Sequence, residues 1–184
     1  ISLMSDEIKA ILDEGERITS LLNVESFEEP GFVFMATKKG VVKKTSLDEF
    51  KRQWKVGKRA IKLDPDDELV GSTLTDGEKF IMLVSQSGKA VFFDEKEARS
   101  MGRAARGVKG INLGKDDQVI SLLVPEKENT IFTVSENGYG KRTNVDDFRK
   151  TRRGAKGVIA MQTSDRNGFC LLYTSDAADE DCWV

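Results

Sequence analysis

The side chains best suited to chemistry in this chain are lysines and arginines, which gather in short loops that also contain glycine. Residues 38–62 carry ten bases against two acids, and further basic blocks follow at 99–109 and 141–156. The net charge of -2 hides this pattern, because residues 1–30 carry eight acids against two bases. Clustered basic side chains neutralise the phosphates of a nucleic acid and release its counterions. This kind of binding does not depend on the nucleotide sequence. The candidate phosphate-binding side chains are Lys38, Lys39, Lys43, Lys44, Arg52, Lys58, Arg59, Arg103, Arg106, Lys109, Lys141, Arg142, Arg152, Arg153 and Lys156.

Glycines recur in three of the basic loops, at 56–61, 106–111 and 153–158. Read in parallel, the loops place Gly57, Gly107 and Gly154 at one position. A glycine lets the backbone come close to a ligand, and successive N–H groups form a concave nest that binds anions. Ordinary turn glycines are the equal alternative. The candidates for backbone approach to phosphates are Gly107, Gly110, Gly154 and Gly157.

The chain lacks the residues that most catalytic mechanisms need. The chain has no histidine, which excludes a serine-type triad, a histidine general base and most catalytic zinc sites. No segment ends in the Gly-Lys-Ser/Thr of a phosphate-binding P-loop. Tyr139 lies at a repeated hairpin turn, where a structural role or a contact at a DNA edge is the simpler interpretation. We predict a piece that is itself noncatalytic, with no catalytic residue, metal or cofactor of its own.

The apolar runs and the cysteines indicate the cellular compartment that we expect for this protein. The longest apolar runs are about five residues, whereas a membrane-spanning helix needs roughly 20. Cys170 and Cys182 form no readable disulfide framework or Cys/His metal site, so a reducing cytoplasm is expected. The chain opens on Ile1 without a signal peptide pattern, and we expect an internal fragment with no membrane partner.

A repeated β-hairpin must position the basic loops. Each repeat starts with an apolar strand, reaches a turn glycine and continues into a second strand. The turn glycines, Gly40, Gly88 and Gly138, are 48 and 50 residues apart. The predicted first strands are 32–37, 80–85 and 130–135, and the second strands are 41–45, 89–93 and 139–143.

Each repeat then continues through a basic loop into a short apolar strand, an acidic turn and a fourth apolar strand. The fourth strands begin at Leu69 and Val119, and residues 18–22 match them as the end of an earlier unit. A four-stranded unit repeated about every 50 residues is typical of propeller blades. We therefore predict an all-β fold of four-stranded blades, with a tandem array of unrelated β-domains as the alternative.

Several segments carry a resemblance to a known family. Met35–Thr45, Met101–Ile111 and Glu136–Thr143, together with 156–160 and 165–168, closely resemble the C-terminal domain of bacterial DNA gyrase A. The resemblance covers about residues 14–168. The related C-terminal domain of topoisomerase IV is the second possibility.

The resemblance implies a β-pinwheel, a disc of blades whose basic rim wraps double-stranded DNA. The expected parts are the end of one blade at 1–28 and a partial ring of three complete blades, at 29–76, 77–126 and 127–168. The family's Gln-Arg-Arg-Gly-Gly-Lys-Gly heptapeptide belongs to the first blade, and 151–157 resembles a degenerate counterpart. Full wrapping by this piece alone is therefore in question.

For the whole enzyme, the resemblance implies ATP-dependent negative supercoiling by an A2B2 assembly with the gyrase A N-terminal domain and gyrase B. ATP and Mg²⁺ belong to that enzyme, as does the catalytic tyrosine, which lies outside this chain. Nucleoid-associated location in the cytoplasm is implied too. A noncatalytic propeller that docks proteins is the alternative function.

The C-terminal residues 169–184 break the repeat. They resemble the translation of a transposase sequencing adapter, and we interpret them as non-native read-through. We therefore expect no functional role for Cys170, Cys182 and Trp183. A divergent strand with an acidic tail is the alternative.

Overall fold

The computed structural model describes residues 18–24, 26–52 and 57–176, and within them the chain is all-β. The strands are β1 (Phe32–Thr37), β2 (Val41–Ser46), β3 (Leu69–Thr75), β4 (Phe80–Ser85), β5 (Lys89–Asp94), β6 (Val108–Lys109), β7 (Val119–Leu123), β8 (Thr130–Ser135), β9 (Gly140–Asn144), β10 (Val158–Ile159) and β11 (Cys170–Asp176). Short 3₁₀ turns follow the second strand of each hairpin, at Leu47–Phe50, Glu95–Glu97 and Val145–Asp147. In the described part of the chain, no helix is long and apolar enough to cross a membrane.

The three predicted hairpins are confirmed. β1 pairs with β2, β4 with β5 and β8 with β9, all antiparallel. The turn glycines Gly40, Gly88 and Gly138 have φ values of 80°, 75° and 80°, which an L side chain rarely adopts. The first strands have the predicted bounds, and β3 and β7 begin at the predicted residues.

Strand exchange between consecutive repeats completes two of the sheets. The first sheet has the order β3-β1-β2-β6, although β6 belongs to the second repeat. The second sheet has the order β10-β5-β4-β7, although β10 belongs to the third repeat. The expectation that each unit supplies its own four strands is therefore wrong in this detail. Sequence patterns mark where short strands lie but do not determine their partners.

The third sheet, β11-β8-β9, has three strands in the described residues. The non-native origin of 169–184 remains a prediction, and residues 177–184 lie outside the described part. Residues from 170 onward pair with β8, as β3 pairs with β1, and Cys170 is buried in the core.

Two hydrophobic cores hold the sheets together. Along β4, Ile81 and Leu83 face the first sheet, whereas Met82 and Val84 face the third. The middle sheet is therefore buried on both faces, which explains its unbroken apolar strand. The strand predicted at 18–22 is wrong, because these residues form no strand; Ser20 contacts β3 through a 2.9 Å hydrogen bond with Ser72. Of the predicted first-blade remnant at 1–28, residues 1–17 and residue 25 lie outside the described residues.

Candidate nucleic-acid interface

The basic loops of the second and third repeats each lie along the edge of the hairpin of the previous repeat. We call residues 101–111, which run alongside β2, the first seam. We call residues 151–161, which run alongside β5, the second seam. In the first seam, the Met101 N–H donates to the Lys44 carbonyl at 2.8 Å, and the Gly110 N–H donates to the Gly40 carbonyl at 2.7 Å. In the second seam, Thr151 donates to Phe92 and Ala160 to Gly88, at 2.7 and 2.9 Å. Each seam residue therefore matches the one 50 positions later.

This register corrects the predicted alignment of the loop glycines. Gly57, Gly107 and Gly157 are equivalent, with φ values of 70°, 104° and 80°. Gly154 is instead equivalent to Ala104, so its predicted match to Gly107 was wrong by three residues. The predicted match arose because both loops, 106–111 and 153–158, begin with an Arg-Gly pair. The true register is visible only in the hydrogen bonds between each loop and the hairpin of the previous repeat.

The predicted phosphate nest is wrong for two of its four glycines. The Gly110 N–H donates to Gly40, and the Gly154 N–H donates to the Gly110 carbonyl at 2.7 Å, so both donors serve the protein itself. At Gly107 and Gly157, the close approach that glycine permits is to the strand of the neighbouring hairpin. A Cβ there would lie 2.6 Å from the Val42 carbonyl oxygen and 2.8 Å from that of Ala90. Contact between these two glycines and phosphates remains a prediction.

Two of the predicted phosphate-binding side chains are buried, which contradicts their assignment. The Lys43 side chain has no exposed area, and its ammonium group donates to the carbonyls of Ala60, at 2.6 Å, and Arg103. Lys44 is 6% exposed and lies 3.7 Å from the buried carboxylate of Glu95. Each of these lysines lies two residues after a valine in β2 and therefore shares a face of the strand with that valine. This spacing was the available signal for burial.

The other thirteen candidate side chains lie wholly or partly at the surface. Lys38, Lys58, Arg103 and Arg153 are half-buried. The exposed candidates are Lys39, Arg52, Arg59, Arg106, Lys109, Lys141, Arg142, Arg152 and Lys156. Their contact with phosphates remains a prediction.

Bases recur at equivalent places in the two seams. Arg103 matches Arg153, Arg106 matches Lys156, and Arg59 in the preceding loop matches Lys109. Each of the two equivalent arginines lies beside an acidic residue that the sequence analysis missed. The Arg103 Nε lies 3.7 Å from a carboxylate oxygen of Glu49, and the Arg153 Nε donates to the backbone carbonyl of Glu97 at 2.9 Å. Glu49 and Glu97 are 48 residues apart, as Gly40 and Gly88 are, and this spacing was the signal.

Positive charges accumulate where the first seam meets the preceding loop. Burial lowers the pKa of Lys58 from its ordinary value, and the neighbouring charges of Arg103 and Arg52 lower it further. Such mutual repulsion is relieved when a polyanion binds. The bases of the first hairpin turn form a separate group, since Lys38 lies 3.6 Å from Glu68 and the Lys39 ammonium donates to the Pro65 carbonyl.

The burial of Lys43 predicts an unusual pH dependence of stability. Burial, together with the charge of Arg103, lowers its pKa to about 8 from 10.5. Between these two values the unfolded chain binds more protons at this residue, so its contribution to the free energy of unfolding rises with pH. We expect urea unfolding at pH 7 to 10.5 to show the wild type gaining stability over Lys43→Val above about pH 8. A difference that stays constant over this range would contradict the assignment.

The described residues contain no group of three or more His, Cys, Asp or Glu side chains placed to hold a metal ion. The seams offer a basic surface built from loops, and carbonyls and carboxylates contact some of its charged side chains. Such a surface can bind phosphates in a row.

Comparison with known proteins places these features in a family context. The family model described as the DNA gyrase C-terminal domain, beta-propeller, matches residues 31–76, 79–126 and 129–171. The DNA gyrase A protein of Escherichia coli K12 is 52% identical over 99 residues, and that of Haemophilus influenzae is 50% identical over 99 residues. Each alignment covers 54% of this chain but only 11% of the relative's length.

Solved structures agree on the fold. The C-terminal domain of DNA topoisomerase IV superposes with a TM-score of 0.83 and 31% identity, over 89% of this chain and 52% of that one. The DNA gyrase A C-terminal domain superposes with a TM-score of 0.80 and 24% identity, over 94% of this chain and 57% of that one. The predicted propeller-like architecture is therefore confirmed.

Proposed function

This chain belongs to the family of DNA gyrase C-terminal beta-propeller domains, and we propose that it binds duplex DNA without regard to base sequence and bends it along the seams. The observation that carries the proposal is the recurrence of exposed bases at equivalent positions of successive loops: Arg106 in the first seam matches Lys156 in the second, and Arg59 in the preceding loop matches Lys109 in the first seam. Basic side chains thus recur at equivalent positions of successive loops.

Bending explains why the bases are repeated. Bending 20–30 base pairs strongly costs on the order of several kcal/mol, and contacts along the bent duplex must offset that cost. One loop contacts too few phosphates, whereas loops on successive sheets contact the duplex at successive points. Each neutralised phosphate adds about 0.9 to the slope of affinity against salt.

We further propose that the chain serves a DNA gyrase. The curated relatives above are gyrase A proteins, which favours gyrase over topoisomerase IV. In that setting the partners are the N-terminal part of gyrase A and gyrase B, in an A2B2 enzyme located on the chromosome in the cytoplasm. ATP and Mg²⁺ serve the whole enzyme, and this domain contributes noncatalytic DNA wrapping to negative supercoiling.

The direct test is to close nicked plasmid with ligase at increasing concentrations of the 184-residue chain and to measure linking number on a gel. A dose-dependent shift is expected if the seams bend DNA into a chiral wrap. Binding without a shift would leave DNA binding in place and remove wrapping. No binding at all would overturn the proposal and favour a propeller that docks proteins.

A single seam base should change the salt dependence by a defined amount. Lys109→Gln removes an exposed ammonium group, and we expect the negative slope of log affinity against log salt to become less steep by about 0.9. Fluorescence anisotropy with a duplex of about 40 base pairs measures the slope. Lys79→Gln is the matched control, because Lys79 lies outside the seams beside Glu126 and should leave the slope unchanged.

A further inference from the structure

The buried ammonium group of Lys43 joins two basic loops that belong to consecutive repeats. It donates to the carbonyl of Ala60 at 2.6 Å and to that of Arg103, which is 43 positions further along the chain. A backbone bond from the Lys62 N–H to the Ala105 carbonyl, at 3.2 Å, joins the same two loops. The loops around these carbonyls carry Lys58, Arg59, Arg103 and Arg106.

The next pair of loops achieves the same connection without a lysine. Gly110 is the equivalent of Ala60, and its carbonyl accepts the N–H of Gly154 at 2.7 Å. Gly154 makes this bond with a φ of 78°, and its equivalent in the first seam is Ala104. The residue equivalent to Lys43 is Val91, which is buried in the core. The Asn112 N–H donates to the Ala155 carbonyl, as Lys62 donates to Ala105.

We propose that Lys43 is a positioning residue for the DNA interface, which holds the loops at 57–62 and 101–106 at a fixed spacing so that their bases meet phosphates of one duplex. The proposal rests on the function proposed above. Lys43 does not contact DNA, because its side chain is enclosed. It replaces, in the first pair of loops, the backbone bond that Gly154 makes in the second.

The chemistry of the group suits this role. An ammonium group donates several hydrogen bonds at once, and charge-assisted bonds are about twice as strong as neutral ones. Leaving two loop carbonyls without a donor in a buried place is costly, so the loops separate when the lysine is removed. The charged groups that act on Lys43 are Arg103, in the first-seam loop, and Glu49, in the 3₁₀ turn that follows β2.

The test converts the first pair of loops into the design of the second. Lys43→Val introduces the residue found at the equivalent position, and Lys43→Val with Ala104→Gly also supplies the glycine that can make the Gly154-type bond. We expect the single variant to lower the affinity for a duplex of about 40 base pairs about tenfold, as for loss of a charge-assisted hydrogen bond. Hydrogen exchange at the Lys62 amide should become faster. The double variant should recover most of both.

Each outcome decides between explanations. Lys79→Met, which removes one positive charge outside the seams, is the charge control and should bind as the wild type does. Wild-type binding by Lys43→Val would overturn the inference and leave the proposed function intact. A loss that Ala104→Gly does not recover would overturn it as well, because loss of charge or of fold would then suffice. Failure of the wild type to bind DNA would overturn the proposed function, whereas unchanged Lys62 exchange in Lys43→Val would refute the positioning role alone.

Discussion

Replacing Glu95 by valine is expected to lower the free energy of unfolding by about 3–5 kcal/mol, the range for breaking a buried ion pair. The Glu95 carboxylate is fully buried and accepts the Thr75 hydroxyl at 2.8 Å and the backbone N–H groups of Gly77 and Lys79 at 3.0 and 2.8 Å. Its removal leaves these donors without their acceptor and the Lys44 ammonium without its carboxylate partner, although that ammonium still donates to the backbone carbonyl of residue 95 at 3.0 Å. Urea unfolding followed by circular dichroism measures the loss.

The second seam supplies the matched control for this ion pair. Phe92 is equivalent to Lys44 and Val145 to Glu95, and both lie in one hydrophobic core. A double-mutant cycle with Lys44→Phe and Glu95→Val should therefore show a coupling of about 2 kcal/mol or more, because the double variant leaves no buried charge. Recovery should be partial, since Thr75, Gly77 and Lys79 still lack an acceptor. Additive single effects would mean that the pair is not coupled.

The seams combine two solutions to the same packing problem. Where β2 meets the second repeat, lysines at 43 and 44 are satisfied by carbonyls and by Glu95. Where β5 meets the third repeat, Val91 and Phe92 pack against apolar neighbours.

Most of the fold was predictable because its signals are local. An apolar strand that runs into a turn glycine marks a hairpin within about 15 residues, and all three hairpins are where the sequence predicts them. Strand exchange was not predictable, because β6 and β10 are two residues long and pair with strands more than 60 positions earlier. Residues 18–22 have strand-like composition but lack a ladder partner.

The site was predictable in composition and less so in geometry. Counting bases identified the seams, yet the same count included Lys43 and Lys44, whose burial depends on the repeat that covers them. A lysine in a strand is usually at the surface, and only the carbonyls of Ala60 and Arg103 make this one stable inside. The three-residue error at Gly154 has the same origin, because register is set by bonds between repeats.

Alanine substitutions at the three equivalent glycines should separate backbone strain from crowding. Gly107→Ala and Gly157→Ala each place a Cβ on a backbone with positive φ and against a carbonyl oxygen, at 2.6 and 2.8 Å. Left-handed strain costs about 1–2 kcal/mol, and crowding against backbone adds about 1–3 kcal/mol. We expect each variant to lose about 2–5 kcal/mol of unfolding free energy and to weaken the strand pairing of its seam.

Gly57→Ala is the control that isolates the first of these costs. Its φ is 70°, but among the described residues no atom beyond its chain neighbours lies within 4 Å of the position of a Cβ. It should therefore lose only about 1–2 kcal/mol, the cost of the left-handed conformation alone. Equal losses at all three positions in urea unfolding would show that strain dominates and that the approach to Val42 and Ala90 relaxes freely. A larger loss at 107 and 157 would establish that these glycines are retained because the hairpin of one repeat packs directly against the backbone of the next.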